Sequence, residues 1–243
     1  MTSIEFEATL QSRARPLPPH SQERPRVSAE GMDSAARRAL NLAVAAAGVV
    51  ATAPLMLVIA FVIKITSRGP AIYTQPRVGI DRRAGRNGGN HRRTRDVGGR
   101  PFTIYKFRTM RASPVAAEAQ VWASPDDPRV TAVGRFLRKY RLDELPQLFN
   151  VLRGDMNVVG PRPEQPRIFE KLRTEIDHYQ HRQRVLPGIT GWAQINHHYD
   201  SSVDDVKRKV AFDLEYIARC SAAEDCRIML RTFPVIALKK GAW

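Results

Sequence analysis

The densest mixture of opposite charges in this chain is Arg138-Lys139-Tyr140-Arg141-Leu142-Asp143-Glu144, where two adjacent carboxylates follow three cations. Two readings fit these residue types. In the first, Asp143 caps a helix starting at Glu144, its side chain accepting backbone N–H bonds while Glu144 lies in the favourable first turn. In the second, the carboxylates work on an anionic substrate. A helix N-terminus and nearby cations attract phosphate, and Mg2+ bridges one or two carboxylates to phosphate oxygens. Spacing alone leaves both open. The His pairs His178/His181 and His197/His198 show no metal spacing and read as surface residues. Two cysteines, Cys220 and Cys226, are too few for a disulfide scaffold or a four-Cys zinc site.

Several elements must position that heptapeptide. Residues 71–75 and 102–107 are short β-branched and aromatic runs, read as a β-hairpin with an oversized tip. Residues 111–124 have a helix-forming Ala-rich centre, and Pro125-Asp126-Asp127-Pro128 is a turn. Val133, Phe136 and Leu137 share one helical face opposite Arg135, Arg138 and Lys139. A helix over 144–153 carries Leu145, Leu148, Phe149 and Leu152 on one side, tolerates Pro146 in its first turn, and stops at Gly154. Further helices are expected at 164–184 and 203–219. The apolar stretch 228–238, ending in Lys239, Lys240 and Trp243, suits either a helix lying at a membrane interface or ordinary core packing.

Upstream, residues 40–63 contain no charged side chain. A straight helix of that length is roughly 36 Å long, against a hydrocarbon core of about 30 Å. Pro54 falls near its middle and removes a backbone donor. Arg37 and Arg38 precede the segment, and Lys64 and Arg68 follow it. A bilayer-crossing helix usually shows its basic bias on one side. Cations at both ends favour a re-entrant hairpin bent at Pro54, with arms of roughly 18–21 Å, over a straight span; a buried core helix is the remaining alternative. The stretch lacks a signal-peptide cleavage pattern.

The whole chain, 243 residues, has 39 Lys and Arg against 24 Asp and Glu, a formal charge of +15. At 43% hydrophobic it is too apolar for a disordered chain, and it is too charged for a polytopic membrane protein. Such a charge calls for nucleic acid, anionic lipid or a phosphorylated substrate. Residues 82–100 hold seven Arg and one acid and read as an Arg/Gly-rich flexible loop, either a patch for an anionic partner or a solvated insertion. Residues 1–35, rich in Pro, Arg and Ser, read as a disordered tail. The organisation expected is therefore tail 1–35, anchor 36–67 and body 68–243.

The body also carries a series of specific blocks. They are Gly69-Pro70, Gln75-Pro76-Arg77-Val78-Gly79, Lys106-Phe107-Arg108-Thr109-Met110, Asp127-Pro128-Arg129-Val130-Thr131 and Gly134-Arg135-Phe136-Leu137-Arg138-Lys139. The longest, Leu142-Asp143-Glu144-Leu145-Pro146-Gln147-Leu148-Phe149-Asn150-Val151-Leu152-Arg153-Gly154-Asp155-Met156, precedes Val159-Gly160-Pro161-Arg162-Pro163-Glu164 and Pro187-Gly188-Ile189-Thr190-Gly191-Trp192-Ala193-Gln194. In this order, over about residues 37–238, they resemble the bacterial sugar transferase family, the small monotopic polyprenyl-phosphate phosphoglycosyl transferases. The tail from Tyr199-Asp200-Ser201-Ser202-Val203 is more loosely similar to exopolysaccharide-initiating members.

The resemblance implies an α-rich α+β fold: a re-entrant membrane helix-hairpin, a small β-hairpin and a cytosolic helical catalytic domain with interfacial amphipathic helices. It implies transfer of a hexose-1-phosphate from a UDP-sugar to polyprenyl (undecaprenyl) phosphate with release of UMP, the first membrane step of exopolysaccharide or related glycan synthesis, at the cytoplasmic face of a bacterial inner membrane. By the match, Asp143 attacks the sugar-bearing phosphate and forms a covalent phosphosugar-aspartate. Glu144 helps hold Mg2+. Arg138 binds phosphate, and Pro161-Arg162-Pro163 forms the nucleotide-side element with Arg162 as its contact. Lys106 and Arg108 are further phosphate candidates, balanced against mere surface solubility. Pro187, Gly188 and Gly191 shape a tight loop. Anionic membrane lipid is an expected partner, nucleic acid is not, and self-association stays open. Two departures stand out. The family's Ser-Pro at the membrane bend is Ala53-Pro54 here, with Thr52 one place earlier, and the 82–100 tip is longer than the family's usual turn. The rivals from other classes are a membrane-tethered nucleic-acid binder using the Arg loop and a non-enzymatic membrane scaffold.

Overall fold

The computed structural model describes residues 34–82, 98–111, 127–196 and 203–237. The tail 1–33, most of the Arg-rich tip, the Ala-rich run after Arg111 and the His197/His198 pair lie outside them.

The first described element is helix α1, Ala35–Thr66. Ser34 caps it, its hydroxyl accepting from the Arg37 N–H at 3.2 Å, and Ser67 closes it through N–H and hydroxyl donations to the Ile63 carbonyl. Pro54 lies inside the helix, and the Thr52 hydroxyl donates to the Gly48 carbonyl one turn back at 2.7 Å. Such back-bonding is a feature that often bends helices. The helix is long and apolar enough to cross a membrane. Its buried positions form two separate sets, Arg37, Asn41 and Ala45 before the proline and Met56, Ile59 and Ile63 after it. Val50, Leu57, Phe61 and Ile65 face outward, Val50 being 77% exposed.

Both sets rest on the same body. Strands β1 (Ile72–Val78) and β2 (Pro101–Phe107) form an antiparallel hairpin from Ile72 opposite Phe107 to Val78 opposite Pro101. The sequence anticipated this hairpin, and pairing runs beyond the expected first strand. Pro76 fits because β1 has a free edge. Ala45 packs with Ile104, Val151 and Met156, whereas Met56, Ile59 and Ile63 pack with Phe107 and Leu137. One strand thus supports both halves of the anchor.

Arg37 and Arg38 do not flank the anchor as lipid contacts. Arg37 is 1% exposed, its Nε donating to Asp225 Oδ2 at 2.9 Å and its guanidinium also meeting the Tyr216 hydroxyl. Asn41 Nδ2 donates to the same Asp225 oxygen, and Asn41 Oδ1 accepts from the N–H groups of Val158 and Val159. Arg38 donates to the Met156 carbonyl and to Asn157 Oδ1. Arg37 and Arg38, counted from sequence as the cations preceding the apolar stretch, are tertiary contacts, because a buried carboxylate and backbone carbonyls wait for them. Lys64 and Arg68 are exposed.

Downstream come α2 (Ala132–Lys139), a 3-10 turn (Leu142–Glu144), α3 (Gln147–Arg153), β3 (Asn157–Val159), α4 (Pro166–Glu175), a second 3-10 turn (Tyr179–Arg184), β4 (Gly188–Thr190), α5 (Trp192–Asn196), α6 (Val203–Arg219) and α7 (Ala222–Ala237). Three expectations need correction. The helix placed at 144–153 starts at Gln147, because Arg141 adopts a left-handed conformation (φ 56°) and sends 142–144 into a separate turn. The helix placed over 164–184 breaks after Glu175, where Ile176 turns extended to enter the core and His178 is left-handed. Phe136, Phe149 and Leu152, grouped with the other apolar residues on one side of their helices, are exposed rather than buried with them. The 203–219 helix lies where the periodicity puts it, and 228–237 is part of α7, with Leu230 and Phe233 outward, the latter 71% exposed.

The pair β3–β4 is parallel, with Asn157 opposite Gly188 and Val159 opposite Thr190. The sequence suggested only a tight loop at Gly188. Its glycines permit close approach: a Cβ on Gly188 would meet the Gly160 nitrogen at 2.1 Å.

Candidate active site

Because Arg141 turns the chain, Asp143 and Glu144 both point inward, 8% and 6% exposed. Asp143 is not the cap of the following helix. Pro146 holds that position and makes no side-chain capping bond. The capping reading of the sequence is therefore set aside, leaving two buried carboxylates to be explained by their surroundings.

Those surroundings differ. Glu144 Oε1 accepts from Lys106 Nζ at 2.9 Å and Arg162 Nη2 at 2.6 Å, with Arg141 Nη1 at 3.8 Å; Glu144 Oε2 has a longer contact to Arg162 Nη1 at 3.5 Å. Burial by itself raises the Glu144 pKa, but Arg162, Lys106 and Arg141 outweigh it and hold the carboxyl well below its ordinary value. Asp143 accepts no hydrogen bond from any described residue. Burial raises its pKa, reinforced by Glu144 and only partly offset by Lys106, Arg162 and Arg138. One carboxylate is locked and ionised, and its neighbour is poorly solvated and unengaged.

Besides Arg141, the cations around the pair come from three separate parts of the chain. Lys106 extends from β2, where burial lowers its pKa against the pull of Glu144. Arg138 lies in the last turn of α2, its Nε donating to Thr109 Oγ1 at 3.0 Å, which leaves its terminal nitrogens without a partner among the described residues. Arg162 sits between the buried Pro161 and Pro163 on the segment after β3. The structure thus brings together Lys106, Arg138, Asp143, Glu144 and Arg162 from positions scattered over the sequence. Arg108 is placed differently: its guanidinium donates to the Ser67 carbonyl and hydroxyl at 2.8 Å and to the Arg68 carbonyl, tying the end of β2 to the exit of α1.

A second layer escaped the sequence reading. Arg182 Nη2 donates to the Arg162 carbonyl at 3.0 Å, and Arg77 Nη1 to the Pro163 carbonyl at 3.2 Å. Glu164 accepts from Lys209 Nζ at 3.1 Å. Burial works to raise the Glu164 pKa, yet Lys209, Arg182 and Arg77 bring it down to about 2. Asp213 binds Arg182 Nε at 2.7 Å. A signal for this layer existed: Lys209 and Asp213 fall at helical spacing on the same face as Val206, Val210 and Ile217, and charges on an apolar stripe need partners.

Among the described residues no group of three or more His, Cys, Asp or Glu side chains is arranged to hold a metal ion. His178 and His181 stack on each other at 5.1 Å. The acidic donors at the site are Asp143 and Glu144. That donor set fits Mg2+, a hard cation that takes one or two carboxylates and completes its shell with water and substrate phosphate. It does not fit zinc, whose sites hold three or four protein ligands.

The family model described as "Bacterial sugar transferase" matches residues 32–239. The chain is 40% identical over 206 residues to the UDP-N-acetylgalactosamine-undecaprenyl-phosphate N-acetylgalactosaminephosphotransferase of Aeromonas hydrophila, covering 85% of this chain and 44% of that protein. It is 37% identical to the UDP-glucose:undecaprenyl-phosphate glucose-1-phosphate transferase of Escherichia coli (strain K12), covering 83% of this chain and 40% of the relative. It is 33% identical to the exopolysaccharide production protein ExoY of Sinorhizobium fredii, covering 85% and 88% respectively. The chain therefore spans less than half the length of the first two relatives and most of the third.

Proposed function

The chain belongs to the bacterial sugar transferase family, and from that premise we propose that it transfers a hexose-1-phosphate from a UDP-sugar to undecaprenyl phosphate, beginning an exopolysaccharide or related glycan. The observation that carries the reading is the asymmetry of the carboxylates: Glu144 is held by Arg162 and Lys106, while Asp143 has no hydrogen-bond partner among the described residues.

In this reading an Asp143 carboxylate oxygen attacks the sugar-bearing phosphorus of the UDP-sugar. The phosphorus–oxygen bond to the nucleotide breaks, and its electron pair leaves with UMP. An oxygen of undecaprenyl phosphate then attacks the same phosphorus, and Asp143 departs as a carboxylate. Dividing the transfer this way gives two easier displacements. Arg138 offers its terminal nitrogens to phosphate, and Arg162 and Lys106 set the positive field against which the diphosphate binds. Glu144 would help hold Mg2+, which when bound neutralises the diphosphate and stabilises the departing nucleotide.

For the anchor we propose a one-sided, re-entrant insertion bent at Pro54. Its support is that α1 is bonded to one body at both ends, through Arg37 and Asn41 to β3 and α7, and through Ser67 and Arg68 to Arg108. A fully crossing helix would carry one end to the far side of the bilayer. The body then lies at the cytoplasmic face of the inner membrane, where UDP-sugars are found, with Leu230 and Phe233 turned to anionic lipid.

The test uses purified protein with UDP-sugars, undecaprenyl phosphate and Mg2+, scoring UMP. Asp143→Asn should abolish release, and peptide mass analysis of the wild type stopped before the lipid acceptor is added should find a hexose phosphate on Asp143. UMP release that survives Asp143→Asn refutes the covalent route. For topology, labelled cysteines replacing Ser34 and Pro70 should react from the same side of a sealed vesicle.

A further inference from the structure

We infer that Arg182, held by Asp213, is a positioning residue for Arg162 and so for UDP-sugar binding; this rests on the reading above that Arg162 faces the diphosphate. Arg182 lies in the turn Tyr179–Arg184 and is 1% exposed. Its Nε donates to Asp213 Oδ2 at 2.7 Å, its Nη1 to the Tyr179 hydroxyl at 2.8 Å and its Nη2 to the Arg162 carbonyl at 3.0 Å. A guanidinium is planar, so fixing two of its nitrogens fixes the direction of the third. That third nitrogen meets the backbone of the one residue whose side chain holds Glu144 from the nucleotide side.

The surrounding segment explains why a carbonyl is the point of grip. Pro161 and Pro163 carry no N–H, so Pro161-Arg162-Pro163-Glu164 is held mainly through its oxygens. All four backbone carbonyls are engaged: Pro161 by the Gly188 N–H at 2.9 Å, Arg162 by Arg182, Pro163 by Arg77, and Glu164 by the Val78 N–H at 2.9 Å. The bond at Arg162 is made by a charge and is seated on a buried carboxylate from α6. A buried ion pair that served packing alone would need no third bond, and hydrophobic replacements often match such pairs in stability. Here the pair ends on the functional loop.

The test measures UMP release by the full-length protein in nanodiscs, varying UDP-sugar and undecaprenyl phosphate separately. Arg182→Lys keeps the charge but loses the fork. It should raise the UDP-sugar KM roughly 10- to 100-fold, the scale of one hydrogen bond from a charged donor, and leave the lipid-acceptor KM unchanged. In an Arg162→Ala background the same change should add almost nothing, since its effect passes through Arg162. If Arg182→Lys does not fold, Tyr179→Phe removes one of its fixing bonds and should give the same pattern at about two- to tenfold. A lower kcat with both KM values unchanged, or a full additional loss in the Arg162→Ala background, overturns the inference and leaves a structural ion pair. If Arg162→Ala itself leaves the UDP-sugar KM unchanged, or the wild type releases no UMP, the reading beneath the inference falls and the inference falls with it.

Discussion

Exchanging each of the two adjacent carboxylates for its amide perturbs two environments that differ sharply over one residue. Glu144→Gln removes the negative charge facing Arg162 at 2.6 Å and Lys106 at 2.9 Å, with Arg141 at 3.8 Å. Breaking a buried ion pair by deleting one partner costs about 3–5 kcal/mol, because the remaining charge is left uncompensated. Gln retains a carbonyl acceptor, which puts the expectation near the lower end. Asp143→Asn does the reverse. Its carboxylate is buried and accepts no hydrogen bond from the described residues, so a neutral group of the same shape relieves desolvation, a gain on the order of 1 kcal/mol. For a chain of this length each kcal/mol is worth about 2–4 °C in Tm. Intrinsic Trp fluorescence melts in one detergent should therefore place Glu144→Gln about 6–12 °C below the wild type and Asp143→Asn about 2–4 °C above it. Both variants should lose transfer. Equal destabilisation by the two substitutions would show that the carboxylates share one environment, and the assignment of separate roles would be refuted.

Other outcomes follow from the same geometry. The rate of UMP release should fall on the acid side at a pH above the ordinary Asp range, because burial raises Asp143 and its protonation removes the nucleophile; a kcat/KM profile limited only at about pH 4 speaks against Asp143. Glu164 is depressed from 4.5 to about 2, so the stability it contributes is complete above its unfolded pKa and is lost as pH falls through the folded one. Acid melts between these values should flatten in Glu164→Gln. Arg108→Ala should destabilise by about 2 kcal/mol from its lost charged hydrogen bonds, a Tm about 4–8 °C lower, while leaving the UDP-sugar KM unchanged; a raised KM would return Arg108 to the phosphate site. Gly160→Ala should abolish activity, since the added Cβ would meet the Leu186 carbonyl at 2.4 Å and push β3 from β4; a fully active variant would argue against the β3–β4 contact as the support of Arg162.

Local pattern was the legible part of the molecule. The β-hairpin announced itself through β-branched and aromatic runs, and α6 through Val206, Val210 and Ile217 at three- and four-residue steps. The dyad and Arg162 were reachable through the blocks around them. What local pattern hid was decided at a distance. The left-handed Arg141, which separates the dyad from α3, has no marker in a non-glycine residue. Arg37 and Arg38 sit beside an apolar helix just as lipid-facing cations do, and only the fold reveals Asp225 and the β3 backbone as their partners. Lys106 and Arg108 alternate along one sequence run, yet β2 ends at Phe107, so the first reaches Glu144 and the second turns to α1. Phe136 and Phe149 look like core in a helical wheel because an apolar helical face does not say by itself what packs against it.

The clasp between Arg37 and Asp225 joins positions 188 residues apart. At roughly 5–20 residues per second of synthesis, the anchor waits about 10–40 s for its counter-ion. Until then the Arg37 guanidinium lacks its carboxylate and has the Val159 carbonyl and the Tyr216 hydroxyl, made earlier, as its partners, while the Asn41 amide keeps its bond to the Arg37 carbonyl within the helix. The buried charge on Arg37 is compensated only when α7 arrives. Helix α7 is thus the latch on α1, and a chain stalled before Asp225 would carry the β2 and α3 seat of the anchor but leave Arg37 without its counter-ion.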